Sequence, residues 1–426
     1  MRAKLNLLSA LVVGTVGGVI ASGCQTYDFE QVTPLAISQT TETRHIEARE
    51  RKPNMMLLVD TSGSMTAPAD PSLPACQKNG VVCGDLTFQC PISSGCDTRW
   101  SALQKAMSDF LGNNATVARL GLATFPADDY CGPSVSLSIP LPAADKEDDA
   151  TLTSNANAVL SNLLAIKTYR TASTDKIPEG GTPTGESLKY LGDAQKVPQL
   201  QTADRSDFVL LLTDGLPNCN SAHSTASTQC YCTLSAGCTG TPEGCLDNEA
   251  SVTAVKQLAA KEIKTIVIGF GADFNASSES GRQGAATLNA MAEAGGFART
   301  CKQDADCGAG DACDTVKGLC NRRFYQAANR VELATALQQI GKKLGTDPCV
   351  LTFDPTQRPD SVELLVVFLN GERLDPGADT WSVTMATENG KEVIAGLKFT
   401  GSTCQRLQNS SPANPVNIEV RAVQQR

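Results

Sequence analysis

Asp60, Ser62 and Ser64 place one carboxylate and two hydroxyls within five consecutive positions. They follow the unbroken apolar run Met55-Met-Leu-Leu-Val59, which reads as a strand buried on both faces. Carboxylate and hydroxyl oxygens are hard donors, suited to Mg²⁺ or Mn²⁺ rather than to zinc. A second apolar run, Phe208–Leu212, ends in Thr213-Asp214-Gly215. Between the two runs, Gly180-Gly-Thr182-Pro-Thr-Gly185 brings another hydroxyl to the entry of a helix. Asp60, Ser62, Ser64, Thr182 and Asp214 are therefore the candidate metal ligands. In a doubly wound sheet the carboxyl ends of such strands share one edge, where ligands collect. An octahedral ion there would take some donors directly and some through water, keeping one position for an outside ligand.

The elements that must position these residues follow from periodicity. Arg99–Gly112 sets Trp100, Leu103, Met107, Phe110 and Leu111 on one helical face. Helices are also expected over Thr151–Ile166, Gly185–Ala194, Asn248–Glu262, Ala285–Ala294 and Arg330–Leu344. Strands are expected over Val117–Phe125, Val135–Leu141, Ile263–Phe270 and, briefly, Gly296–Arg299. Strands alternating with helices of these lengths predict an α/β fold with a doubly wound, mostly parallel sheet over residues 53–345. From 346 to 426 helical periodicity disappears. Val350–Phe353, Val362–Phe368, Trp381–Ala386, Val393–Phe399 and Val416–Val423 read as strands of a small all-β domain. Asn370-Gly371 and Asn389-Gly390 supply its hairpin turns.

Asp60-Thr-Ser-Gly-Ser64 resembles the Asp-x-Ser-x-Ser signature of the von Willebrand factor type A (vWA) domain. Gly-Gly-Thr182 and Thr-Asp214-Gly match the two remaining loops of that family's metal-ion-dependent adhesion site, in order and spacing. The resemblance covers roughly residues 53–345. It implies direct coordination by Ser62, Ser64 and Thr182, with Asp60 and Asp214 acting largely through water. It also implies strand order 3-2-1-4-5-6 with one antiparallel edge strand.

Seventeen cysteines point to an oxidising compartment, and a pair of histidines with no His-Glu-x-x-His speaks against a zinc hydrolase. The amino terminus agrees: Arg2 and Lys4 precede an apolar stretch to Ile20 and the small residues Ala21-Ser-Gly-Cys24, the plan of an export signal over 1–23. Ending on Gly-Cys, it resembles a bacterial lipobox, which implies acylation of Cys24 and a tether to the outer membrane or cell surface. Cleavage at Gly23 without a lipid and a plain transmembrane anchor, for which the segment is only marginally long enough, are the alternatives. Residues 24–52 are polar and are expected to be a linker between lipid and domain. Losing the two leader cations takes the net charge from −9 to −11, which argues against nucleic acid as a partner.

Apart from Cys24 the cysteines form an even set of disulfide candidates. Cys76, Cys83, Cys90 and Cys96 fall in an insertion at about 66–98. Cys219, Cys230, Cys232, Cys238 and Cys245 fill another at about 215–246, into which Cys131 is expected to pair. Cys301, Cys307, Cys313 and Cys320 occupy a third, at about 300–321, and Cys349 and Cys404 are expected to close the β domain. A zinc ribbon is the alternative for each cluster. Asp304, Asp306, Asp311 and Asp314 offer the third insertion a possible Ca²⁺ loop or a plain disulfide loop. All three insertions are expected to follow strands and rise on the metal-bearing edge as a specificity rim, the third stapling the loop before the last helix.

These features favour a non-enzymatic, divalent-metal-dependent adhesion module that captures an Asp or Glu carboxylate of a protein partner. One alternative is a structural or envelope-assembly lipoprotein whose metal only stabilises the fold. A Mg²⁺-dependent phosphohydrolase is the remaining one, but Ser62 stands where such a site needs a second Asp as general acid.

Overall fold

The structure is a computed structural model. It describes residues 42–45, 48–49 and 52–424, apart from 85–87, 144–145, 147, 202–204, 221–229, 235–236, 272–273, 275–277, 309, 328–329, 345–348, 354–357, 389–390 and 409–415. The export signal, Cys24 and the Asn389-Gly390 turn lie outside the described residues. Two short strands, β1 (Glu42–His45) and β2 (Ala48–Arg49), precede β3 (Asn54–Asp60), every residue of which is buried. Beyond it run β4 (Arg119–Phe125), β5 (Asp207–Thr213), β6 (Ile263–Phe270) and β7 (Tyr325–Ala327). These form one parallel sheet in the order β7-β6-β5-β3-β4.

Alternation along β3 explains the layers. Met55, Leu57 and Val59 face α1 (Arg99–Asn114), α2 (Asp149–Ala165) and α6 (Arg330–Leu344), packing with Trp100, Leu103, Leu163 and Leu337. Met56 and Leu58 face α3 (Thr184–Leu191), α4 (Asn248–Ala259) and α5 (Glu279–Ala294), packing with Leu188, Val255, Leu258 and Met291. A strand clothed on both faces has no polar side, which is why it reads as a continuous apolar run. Each such side chain contributes ~1.5–3 kcal/mol on full burial. Helix starts are set locally: Thr98 accepts a hydrogen bond from Ser101 N at 3.0 Å, and Asp148 accepts one from Thr151 N at 2.9 Å.

Three expectations change. The Val135–Leu141 strand is reduced to one antiparallel bridge, Ile139 with Leu122, because Pro140 has no N–H with which to extend the ladder. The Gly296–Arg299 strand is likewise a single parallel bridge, Gly296 with Thr265, and the paired edge strand is Tyr325–Ala327. The third insertion therefore interrupts the edge strand, leaving beside Thr265 and rejoining beside Ile268. It projects from the flank of the sheet and not from the carboxyl edge that carries Asp60 and Asp214, held by Cys301–Cys313 and Cys307–Cys320.

The carboxyl-terminal part holds β8 (Val350–Phe353), β9 (Leu365–Leu369), β10 (Glu372–Leu374), β11 (Trp381–Glu388), β12 (Lys391–Phe399) and β13 (Ile418–Gln424). They form two antiparallel sheets, ordered β1-β13-β9-β10 and β11-β12-β8-β2. Residues 42–45 and 48–49, placed by sequence in the linker, thus complete both sheets. Asn370 and Gly371 turn the β9–β10 hairpin with φ of 53° and 82°. The domain is not all-β: α7 (Gly401–Gln408) carries Cys404, which bonds Cys349 over a core of Phe353, Val367, Trp381 and Phe399. Lys398 of β12 pairs with Glu262, just before β6 begins, so this domain meets the amino-terminal edge of the parallel sheet.

Candidate metal centre

The loops leaving β3 and β5 and the loop entering α3 converge on the carboxyl edge. Asp60 is fully buried at the end of β3. Its Oδ1 accepts the Ser62 backbone N–H at 2.8 Å and its Oδ2 the Thr213 hydroxyl at 2.6 Å. Ser62 Oγ and Ser64 Oγ stand 3.0 Å apart, and Ser64 Oγ donates to Asp214 Oδ1 at 2.8 Å. A Cβ placed on Gly215 would lie 3.6 Å from Ser64 Oγ and 3.9 Å from Thr182 Oγ1, so both hydroxyls flank that glycine. All five predicted oxygen-bearing residues are brought together.

Thr182 is held from both sides. Gly63 N donates to Gly180 O at 3.0 Å and Glu179 N to Thr61 O at 2.9 Å, which laces the Ser62 loop to the Thr182 loop. Asn218 accepts the Thr182 N–H on its Oδ1 at 2.7 Å and returns its own N–H to Thr182 O at 3.0 Å. The disulfide Cys131–Cys219 lies directly against Gly181, where any Cβ would sit 2.5 Å from Cys219 Sγ. Gly180 has φ +81° and faces the Tyr130 carbonyl. Both glycines are thus required by the backbone path.

Sequence reasoning missed three residues of this site. Thr213 and Asn218 had only their proximity to Asp214 to betray them. Arg99 is the larger omission: its Nη1 lies 2.8 Å from Asp214 Oδ2, with the Arg99 side chain 10% exposed and the Asp214 side chain 0%. A signal existed. Arg99 is the first residue of α1, where the helix dipole disfavours a cation, so a buried arginine there needs an anion.

Burial, and then the neighbouring Asp214 charge, push the Asp60 carboxyl up from 3.8 to about 7. A divalent cation relieves both causes. The donor set, all hard oxygen with both carboxylates withdrawn from water, fits Mg²⁺ or Mn²⁺. The cysteine clusters do not fit zinc, since every described cysteine is in a disulfide: Cys76–Cys96, Cys83–Cys90, Cys131–Cys219, Cys230–Cys245, Cys232–Cys238, Cys301–Cys313, Cys307–Cys320 and Cys349–Cys404. Nor do the acidic residues of the third insertion form a Ca²⁺ loop. Asp304, Asp306 and Asp314 accept backbone N–H groups of their own loop, and Asp311 pairs with Arg299.

Above the donors opens a cavity of about 370 Å³. Its polar floor is the site itself, and Leu216, Leu234 and Phe274 give it an apolar side. Leu234 and Thr233 come from the second insertion, so that insertion does border the site.

No protein-family model matches the sequence, and no curated protein matches it significantly. Solved structures similar to this chain include pilus adhesins and vWA domains. The pilus adhesin SpaC from Lactobacillus rhamnosus GG is 14% identical with a TM-score of 0.39, over 89% of this chain and 40% of that one. This chain thus spans about two fifths of that adhesin's length. The vWF domain of the type V pili tip protein Mfa5 from Porphyromonas gingivalis is 12% identical with a TM-score of 0.34, over 70% of this chain and 96% of that one. The manganese-loaded TRAP protein of Plasmodium vivax is 16% identical with a TM-score of 0.29, over 55% of this chain and 63% of that one.

Proposed function

We propose that the chain is a non-enzymatic adhesion module of the vWA type, exported and lipid-anchored through Cys24, which binds an acidic side chain of a protein partner. The observation that carries this reading is the meeting of Asp60, Ser62, Ser64, Thr182 and Asp214 on one sheet edge beneath an open cavity. Ser62, Ser64 and Thr182 would hold Mg²⁺ or Mn²⁺ directly, with Asp60 and Asp214 behind them. When bound, the ion supplies a coordination position that an Asp or Glu carboxylate can fill. The chain's own part is to pre-set the donors: Thr213 and the Ser62 N–H fix Asp60, Asn218 fixes Thr182, and Cys131–Cys219 braces the loop between them. Hydroxyl ligands and preorganised loops suit reversible capture. With Ser62 in place of a second Asp, a phosphohydrolase would lack its general acid.

The location of the carboxyl-terminal domain supports a tethered module. β1 and β2 carry the chain into that domain, which meets the sheet at the edge opposite the donors, so the described chain enters away from the cavity. The test is a pull-down from envelope extract with the full chain, its Asp60→Ala variant, and EDTA. Capture that needs both Asp60 and a divalent ion supports adhesion. Capture indifferent to both removes it. Thermal stabilisation by Mg²⁺ with no competition from acidic peptides would favour a purely structural metal.

A further inference from the structure

The loop that follows β4 is seated on the metal loop and presents two side chains to solvent. Gly181 N donates to Tyr130 O at 2.6 Å, and a Cβ on Gly180 would lie 2.7 Å from that oxygen and 3.1 Å from the Asp129 carbonyl carbon. The Asp129–Tyr130 peptide group thus rests on the two glycines that border the cavity. The loop itself is closed. Ala127 N donates to Gly132 O at 2.7 Å, and Asp128 Oδ1 accepts the Tyr130 and Gly132 N–H groups at 3.0 and 2.7 Å. Cys131 is bonded to Cys219. These ties are made by backbone, by Asp128 and by the disulfide, and they leave the Tyr130 ring 58% exposed with the Asp129 carboxylate exposed beside it. Among the described residues neither of these side chains has a partner. Glu179, the acid next to Gly180, is already taken by Arg170 at 2.8 and 3.0 Å.

An aromatic face beside a carboxylate is a receptor for a cation: the ring attracts it through its quadrupole and the carboxylate through its charge. Because the loop is already rigid, binding there orders little beyond the two side chains. The charge of the whole chain points the same way. At −9 it repels a partner whose capturing group is an acid, unless that partner carries a cation close to the acid. Gly180 stands two residues before Thr182, a stretch that spans at most about 7 Å. An extended peptide crosses such a distance in about two to four residues. We propose that Asp129 and Tyr130 form a second contact beside the metal, which takes an arginine or lysine lying within a few residues of the captured acid in the same partner. This rests on the metal-site reading above and goes beyond it by naming the partner's chemistry, a paired acid and cation in place of an acid alone.

The experiment is retention of the full chain, in Mg²⁺ at fixed ionic strength, on a dense array of synthetic Gly-Ser peptides. Each peptide carries one Asp and, within about five residues of it on either side, one Arg, Gln or Glu. Wild type is expected to be held about tenfold more strongly on the best Arg peptide than on its Gln counterpart, the size of a cation over an exposed ring combined with an exposed ion pair. Glu at the same place should hold it less than Gln. Asp129→Asn with Tyr130→Ser should bring the Arg-to-Gln ratio down to about one, whereas Tyr130→Phe keeps the ring and should keep the ratio near that of wild type. A ratio near one in wild type at every spacing, or a ratio unchanged in the double variant, overturns the proposal. If the double variant does not fold, Asp129→Asn alone takes its place, with a fall of about threefold in the ratio expected and an unchanged ratio overturning the proposal. Retention no greater in Mg²⁺ than in EDTA on every peptide would instead remove the metal reading, and this proposal with it.

Discussion

The Thr213 hydroxyl donates to Asp60 Oδ2 at 2.6 Å, tying the last residue of one central strand to the last residue of its neighbour. Both groups are buried, so the bond aims the carboxylate as well as satisfying it. Thr213→Val keeps the shape and β-branching but removes the donor. Loss of a buried bond to a charged group costs about 1.5–3 kcal/mol. Urea unfolding should show a loss of that order in the metal-free protein. Mg²⁺ titration should show weaker binding, because Asp60 is then aimed by the Ser62 N–H alone.

The pH dependence has a defined sign. Asp60 and Asp207 are both raised from 3.8 to about 7, each first by burial. A carboxyl that holds its proton more tightly when folded favours folding at low pH, and that advantage is lost as pH climbs from about 4 to about 7. Metal-free protein should therefore become less stable across this window, by up to about 4 kcal/mol for each group. Asp207→Asn keeps an acceptor for Asn54 Nδ2, now 2.7 Å from Asp207 Oδ1, and should remove roughly half of the fall. Thermal melts at stepped pH would measure it. Saturating Mg²⁺ should flatten the part due to Asp60 and leave the part due to Asp207.

The disulfides should separate by location. Cys131–Cys219 closes a sequence separation of 88 residues and lies on Gly181. Its removal by Cys131→Ser with Cys219→Ser should cost about 4.6 kcal/mol in the chain-entropy account and weaken Mg²⁺ binding severalfold. Replacing Cys301, Cys307, Cys313 and Cys320 should lower stability yet leave Mg²⁺ affinity within about twofold, because that insertion leaves the sheet at its flank. Calorimetry on both proteins would check the contrast.

Leu234 projects from the second insertion into the cavity wall, 39% exposed. Leu234→Ser should leave Mg²⁺ affinity unchanged while reducing capture of the partner, if the partner sets an apolar group beside its carboxylate. Parallel measurement of ion binding and pull-down yield distinguishes a wall from a ligand.

Much of this was legible in the sequence, for local reasons. β3, β5 and β6 are clothed on both faces, so their apolar runs are unbroken, and the oxygen donors follow at strand ends. Arg330–Leu344 was legible as a helix because one face alone is apolar. Other features depend on partners far away in sequence. Tyr325–Ala327 becomes the edge strand only by pairing with β6, and a three-residue strand after a disulfide loop carries no period of its own. Glu42–His45 pairs with a strand near residue 420, and its polar composition resembles a linker. Arg99 reads as one charge on an amphipathic helix until Asp214, 115 residues later, is placed beside it. Gly401–Gln408 is too short for periodicity to separate from a turn.

The central claim is that Asp60, Ser62, Ser64, Thr182 and Asp214 hold one divalent cation. Calorimetric titration of Mg²⁺ into the full chain, repeated with Asp60→Ala and with Ser62→Ala plus Ser64→Ala, tests it most directly. The account predicts one saturable site per chain in the wild type and none in either variant, with the variants still folded. Binding of equal strength and stoichiometry in all three proteins would place the ion elsewhere and contradict the account.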